Sequence, residues 1–271
     1  MKAVVICMDE MDRFLQRMDR IRRENAREAD IGHRPEYECL KCRDMGYILQ
    51  RDENGCEVAR KCECCDTKHA KRMLMRSGIS EEFQKKTFDN FNTMGNWQLE
   101  NAKYKAMQYA KHFCSTEHDR WNSIMFAGQV GAGKTHLGTA ICGILMQNGV
   151  AVTYMAYRNA VTKIKQSIVD EEAYSRELNQ YSLARVLYID DLLKGRLTDS
   201  DVNIMYEIVN YRYMNNMPII ISTEKVPSEL IAFDEAIGSR LIEMCRGNII
   251  RLQGKELNYR LSQEVMRGWQ R

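Results

Sequence analysis

The stretch "GQVGAGKTHLGTA" occupies residues 128–140. It sets glycines at 128, 131 and 133 directly before Lys134 and Thr135. The apolar run "SIMFAG" (123–128) leads into it, and "KTHLGTAICGILMQNG" (134–149) reads as a helix closed by Asn148-Gly149. Strand, glycine-rich loop and helix, in that order, is the setting in which G-x-x-x-x-G-K-[ST] cradles phosphate. Glycine lets the backbone turn its N–H groups toward phosphate oxygens. The helix N-terminus adds partial positive charge. Gly128, Gly131, Ala132, Gly133, Lys134, Thr135 and His136 are therefore the expected nucleotide-binding residues. Lys134 should reach the β- and γ-phosphates, and Thr135 should ligate Mg²⁺.

A metal-bound nucleotide needs a carboxylate, and "RVLYIDDLLKG" (185–195) ends an apolar strand in Asp190-Asp191. Asp190 is expected to hold Mg²⁺ through water, and Asp191 to orient or deprotonate the attacking water. Adjacent acids at the end of a buried strand call for a cation or another partner.

Outward from these two motifs the chain alternates. Strand patterns stand at "VAVTYMAY" (150–157), "RVLYID" (185–190), "PIIIST" (218–223) and "NIIRLQ" (248–253). Helical patterns cover 101–113, 158–169, 171–182, 199–216 and 234–245, and a terminal helix follows. The pattern predicts an α/β fold, a P-loop NTPase core with a parallel five-stranded sheet and ligands at the carboxyl ends of its strands. Before it, residues 8–30 carry Met11, Phe14 or Leu15, Met18 and Ile21 on one narrow stripe of an amphipathic helix. The expected divisions are an N-terminal helix (1–35), a cysteine-rich module (36–66), a basic link (67–98) and the ATPase domain (99–271). Within the link, 67–92 reads as a connecting helix ending in aromatic anchors.

The net charge of +3 over 271 residues does not coat nucleic acid, so any DNA contact is a local patch. Apolar residues make up 44% and suffice for a substantial core. No run of eighteen apolar residues exists, so no membrane span is expected. The ten cysteines, without a signal peptide, point to the cytoplasm. Six of them lie between residues 39 and 65. "CLKC" supplies Cys39 and Cys42, "KCECC" supplies Cys62, Cys64 and Cys65, and His69 is near. Between the halves lies a hairpin-like stretch with Asn54-Gly55 as its turn. Two ligand pairs flanking a hairpin suit a structural zinc ribbon or knuckle, which would fold a segment too small for its own core. Cys39, Cys42, Cys62 and Cys64 are the expected Zn²⁺ ligands, with Cys65 or His69 able to replace one, and Cys56 beside the turn outside the set. A thioredoxin-like redox pair would sit beside a βαβ pattern, and this one does not.

The cysteine module, the link "SGISEEFQKKTFDNF", the loop "GQVGAGKTHL" and the strand "LYIDDL" together resemble the bacterial and phage replicative-helicase loaders of the DnaC and DnaI type. These form a branch of the AAA+ ATPases that also holds the IstB transposition helpers. The likeness runs from about residue 36 to about 262. It implies ATP and Mg²⁺ as ligands, and a DnaB-type hexameric helicase and single-stranded DNA as partners. It also implies further residues. "IISTEK" takes the sensor-1 position, with Thr223 and Glu224 as candidates, although that motif often ends in Asn. "IGSRLIEM" resembles the arginine-finger box and makes Arg240 the finger, which implies an ATP-dependent homo-oligomer. "LNYRL" resembles the sensor-2 end and makes Arg260 the arginine acting in cis. The helix in "YRNAVTKIKQSIVDEEAY" takes the single-strand-binding position, with Arg158, Lys163 and Lys165 as cations and Tyr157 able to stack on a base. Helix 8–30 would contact the helicase. Many AAA+ ATPases carry Glu where Asp191 stands, so the shorter acid implies slow hydrolysis.

Three other readings compete. A transposition helper of the IstB type shares the ATPase core but usually lacks the cysteine module. A small-molecule kinase needs a substrate pocket and a lid rich in arginine, and the run after Asp191 offers only Lys194 and Arg196, which speaks against it. A zinc-dependent DNA-binding regulator with a structural P-loop would not depend on Lys134 for its function.

Overall fold

The structure is a computed structural model of the chain and describes residues 37, 39–43, 47–51, 57–62, 64 and 78–261. These fall into two compact units divided between residues 68 and 69. The amphipathic stripe of 8–30, the Asn54-Gly55 turn, Cys56, Cys65 and His69, and the terminal helix beyond residue 261 lie outside the described residues.

In the first unit, β1 (Tyr47–Arg51) and β2 (Glu57–Lys61) pair antiparallel, from Tyr47 opposite Lys61 to Arg51 opposite Glu57. The antiparallel pairing of the two strands agrees with the hairpin-like reading of this stretch. The pairing sets "CLKC" and "KCEC" side by side at the open end of the ladder.

The second unit is built on a five-stranded parallel sheet. Its strands are β3 (Ile124–Gly128), β4 (Val152–Ala156), β5 (Val186–Leu192), β6 (Ile219–Thr223) and β7 (Ile249–Leu252), in the order β4-β5-β6-β3-β7. The central strands are continuous apolar runs because both faces are covered. On one face pack α2 (Trp97–Thr116) and α3 (Lys134–Gln147), through Leu99, Phe113, Leu137, Ile141 and Leu145. On the other pack α4 (Tyr157–Gln166), α5 (Glu171–Ser182), α6 (Asp199–Met214) and α8 (Glu235–Met244), through Ile164, Tyr181, Ile208 and Leu241. Side chains cap several starts: Asn96 accepts from the Gln98 N–H, Asp170 from Ala173, and Asp234 from Ile237.

Arg212 ties this second face together. Its guanidinium is fully buried and donates to the carbonyls of Tyr181, Ser182, Ala184 and Pro218 at 2.7–3.1 Å. Burial brings its pKa down to about 9.

One expectation is corrected. Over 78–92 the chain forms one short helix, α1 (Glu81–Gln84), rather than a connecting helix. Gly78 takes a φ of +81, and past α1 the segment turns around Asn90, which accepts from the Thr87 N–H and donates to the Lys85 carbonyl. Ile79, Phe88 and Phe91 are buried in the core of the second unit, so this part of the link belongs to the fold. The 234–245 helix is preceded by another, α7 (Pro227–Phe233), which opens on a proline at its first position.

Candidate functional site

β3 delivers the chain into the glycine-rich loop. Gln129 N–H donates to Leu252 O at 2.7 Å, so the loop starts while still tied to β7. Gly133 then caps α3 with a φ of +80, a conformation that favours glycine. A β-carbon there would stand 2.5 Å from the Phe91 ring, which packs beneath the turn. The far side is closed by the 3₁₀ turn Lys255–Leu257 and by Tyr259 N–H, which donates to Gly131 O at 3.2 Å.

Gly131, Ala132, Gly133, Lys134, Thr135 and His136 line one cavity of about 430 Å³, together with Asp191, Glu224 and Arg260. Gly128 contributes its carbonyl: Lys134 Nζ donates to Gly128 O at 2.8 Å and to Gln129 O at 2.7 Å. Burial lowers the Lys134 pKa. Thr135 Oγ1 donates to Asp190 Oδ1 at 2.9 Å. The loop hydroxyl and the strand carboxylate thus meet in one place, the donor set that a hard cation such as Mg²⁺ takes. Phosphates fit a cavity lined by a glycine-rich loop, its lysine and the start of a helix.

The remaining expected residues make other contacts. His136 reaches the cavity wall, but its Nε2 donates to Thr87 O and Asn90 Oδ1 at 2.8 and 2.9 Å, and its ring meets Phe91 edge-on. Its work is to fasten residues 87–91 over α3. Thr223 is buried and donates to Leu192 O at 2.9 Å, away from the cavity. Arg240 lies on α8 outside the cavity wall, donating to Ala236 O at 2.7 Å and packing over the rings of Tyr206 and Tyr213.

The cations of α4 are engaged within the chain. Arg158 donates to Arg196 O at 2.9 Å, Lys163 pairs with Glu177 at 2.8 Å, and Lys165 pairs with Asp201 at 2.7 Å. The expectation that Tyr157 stacks on a base is corrected: it is 1% exposed, because the first residue of α4 faces the sheet.

Several site residues carry no motif. Ser222 Oγ donates to Asp190 Oδ1 and accepts from Asp191 N–H at 3.0 Å. Tyr188 and Tyr154 add phenol donors to the two oxygens of Asp190, each at 3.0 Å. Burial, and then the charge of Asp190, raises both phenol pKa values, so both stay protonated donors. The visible signal was polar residues inside apolar strands. Lys86 and Lys194 also line the cavity, and burial lowers the Lys86 pKa.

In the first unit the sulfur atoms of Cys39, Cys42, Cys62 and Cys64 all lie within 4.8 Å of one another. Cys39 and Cys62 approach to 3.8 Å, and Cys42 and Cys64 to 3.3 Å. Tetrahedral thiolates on Zn²⁺ stand about 3.7 Å apart, so the spacing fits that ion. The Cys42 N–H brings the Cys39 thiol down to about 7, while the Cys42 thiol pushes Cys64 up. A cation would let all four ionise together.

A parallel sheet with a phosphate loop after β3, an acid pair ending β5, and β6 inserted between those two strands defines a P-loop ATPase core of the AAA+ type. The sequence model of the bacterial DnaA ATPase domain matches residues 83–245, and the chain belongs to that family. Its relatives include phage-like element PBSX protein XkdC of Bacillus subtilis (strain 168), 38% identical over 234 residues, covering 83% of this chain and 86% of that protein. The replicative helicase loader DnaC of Escherichia coli (strain K12) is 28% identical over 178 residues, covering 65% of this chain and 69% of that one. Among solved structures, the replication initiator DnaA bound to AMPPCP and single-stranded DNA shares the fold. Its TM-score is 0.53 at 20% identity, over 69% of this chain and 56% of that one. The kinship expected with the helicase loaders is thus present in the sequence.

Proposed function

We propose that the chain is a cytoplasmic, ATP-dependent helicase loader that engages a DnaB-type hexameric helicase and single-stranded DNA and switches state on ATP binding and hydrolysis. One observation carries the ATPase half of this reading: Thr135, on the phosphate loop, reaches Asp190, at the end of β5, across 2.9 Å at the wall of the cavity that Lys134 enters. Relationship to DnaC supports the loader half.

In this reading Lys134 moves from the loop carbonyls to the β- and γ-phosphates, and backbone N–H groups of 131–135 hold the phosphate chain. Mg²⁺, taken by Thr135 and water-linked Asp190, would neutralise charge on the phosphate oxygens. Asp191 orients a water for attack on the γ-phosphorus and takes its proton as the bond to the bridging oxygen breaks. The short Asp191 side chain favours slow turnover. Arg260 contributes positive charge in cis, and Arg240 does so from a neighbouring copy in an ATP-dependent homo-oligomer. Thr223 and Glu224 hold the sensor-1 end of β6; of the two, Glu224 faces the nucleotide.

Arg158, Lys163 and Lys165 would meet single-stranded DNA by exchanging their internal partners for phosphates, which makes binding weak and salt-dependent. Zn²⁺ on Cys39, Cys42, Cys62 and Cys64 would hold the first unit together, and that unit would dock on the helicase.

The test is light scattering on a mixture of this chain with its host's hexameric helicase, with ATP·Mg²⁺ and without nucleotide. A stable complex, lost when residues 1–66 are removed, supports the loader. Absence of a complex in both states contradicts it and favours a transposition helper.

A further inference from the structure

The loop after β5 is folded tightly back on itself. Asp191 and Leu193 take φ values of 56 and 57, a left-handed conformation that residues with side chains rarely adopt, and Gly195 follows at 89. The doubling-back is pinned by Asp191 N–H donating to Ser222 Oγ at 3.0 Å and by Lys194 N–H donating to Asp191 O at 3.1 Å. Its outcome is the placement of one ammonium group. Lys194 Nζ donates to Asp191 Oδ2 at 2.9 Å and pairs with Glu224 Oε1 at 3.1 Å, and all three residues line the nucleotide cavity.

The charges explain why a cation belongs there. Two carboxylates, Asp191 and Glu224, face a cavity whose ligand is a polyanion. Left alone they would repel its outer phosphate. The end of β6 provides no hydroxyl to offset them, because Thr223 donates to Leu192 O and is buried. Lys194 joins the two acids. It is also within hydrogen-bond distance of the carboxylate that handles the attacking water, so it stands beside the terminal phosphate rather than the inner ones.

We propose that Lys194 reads the terminal phosphate: it contacts the γ-phosphate of a nucleoside triphosphate and makes the site prefer triphosphate over diphosphate. The inference rests on the ATP reading of this cavity. A γ-phosphate draws the ammonium away from Asp191, and this frees Asp191 Oδ2 for the water. Acid and phosphate thus compete for one cation, so the acid is released when the substrate is seated and is held when the diphosphate remains.

The test is calorimetric titration of AMPPNP·Mg²⁺ and ADP·Mg²⁺ into wild type, Lys194→Ala, Lys194→Arg and Lys225→Ala. Lys194→Ala should weaken the triphosphate analogue by about tenfold and leave ADP within about twofold, the loss of one charge-assisted bond. Lys194→Arg should restore most of the preference. Lys225→Ala removes a nearby charge outside the cavity wall and should leave the ratio unchanged. A triphosphate-to-diphosphate ratio in Lys194→Ala equal to that of wild type overturns the role of Lys194 alone. A wild type that binds neither nucleotide overturns the site reading and this inference together.

Discussion

Thr135 Oγ1 donates to Asp190 Oδ1 across 2.9 Å, and this bond joins the two motifs on which the reading of the chain rests. Three further hydroxyls, from Tyr154, Tyr188 and Ser222, also converge on Asp190. They hold a carboxylate that is 7% exposed in one orientation.

Removing a phenol should therefore loosen the metal more than the nucleotide. In Tyr154→Phe or Tyr188→Phe the Mg²⁺ concentration for half-maximal ATP binding should rise about tenfold, the usual size of an outer-shell effect. A Mg²⁺ titration of nucleotide binding checks this; an unchanged midpoint in both variants would show that the phenols only pack.

Two glycines of α3 give opposite signs. Gly143 faces open space, so Gly143→Ala should stabilise by about 1 kcal/mol through helix propensity. A β-carbon on Gly138 would stand 2.6–2.8 Å from the Tyr188 ring, so Gly138→Ala should destabilise by about 1–3 kcal/mol. It should also raise the Mg²⁺ requirement, because Tyr188 is displaced from Asp190. Denaturant melts of the two variants give the signs directly.

Most of the ATPase core could be read from residue pattern. "SIMFAG", "RVLYID" and "PIIIST" are apolar runs that a doubly covered parallel sheet produces, and each became a strand. The glycine loop was legible because its spacing is set by phosphate geometry. Residues 78–92 were misread because their helical composition gave way to tertiary burial of Ile79, Phe88 and Phe91. Tyr154, Tyr188 and Ser222 were missed because single hydroxyls inside strands look like tolerated polar residues; only the fold brings them to Asp190. Lys194 was weighed only as part of a kinase lid, because nothing local reveals the left-handed turns that carry it inward.

Acid should weaken one clamp of the fold. Arg185 donates to both oxygens of Glu117 at 2.6 and 2.8 Å, and this bonding holds the Glu117 pKa below its ordinary 4.5. A lowered carboxyl pKa contributes stability above the unfolded value, and that contribution is lost as pH falls through the folded value. Arg185 is half-exposed, so the pair is worth about 1 kcal/mol after screening. Glu117→Gln should thus melt about 2–4 °C below wild type at pH 7. The gap should close as pH falls below 4.5. A gap independent of pH would show that packing, not charge, sets the cost.

The cysteine cluster makes a chemical prediction. Purified wild type should carry one Zn²⁺ per chain, and Cys39→Ser with Cys42→Ser should carry none while the ATPase unit keeps its melting transition. Elemental analysis beside a thermal melt reads both. Full zinc in the double variant would mean that the ligand set is different.

The most direct measurement is calorimetric titration of ATP·Mg²⁺ into wild type and Lys134→Ala. The account predicts saturable binding of one nucleotide per chain to wild type. It predicts a loss of at least about a hundredfold in the variant, because the buried ammonium that would turn from the loop carbonyls to the phosphates is removed. Equal affinity in the two proteins would contradict the assignment of this cavity as the nucleotide site.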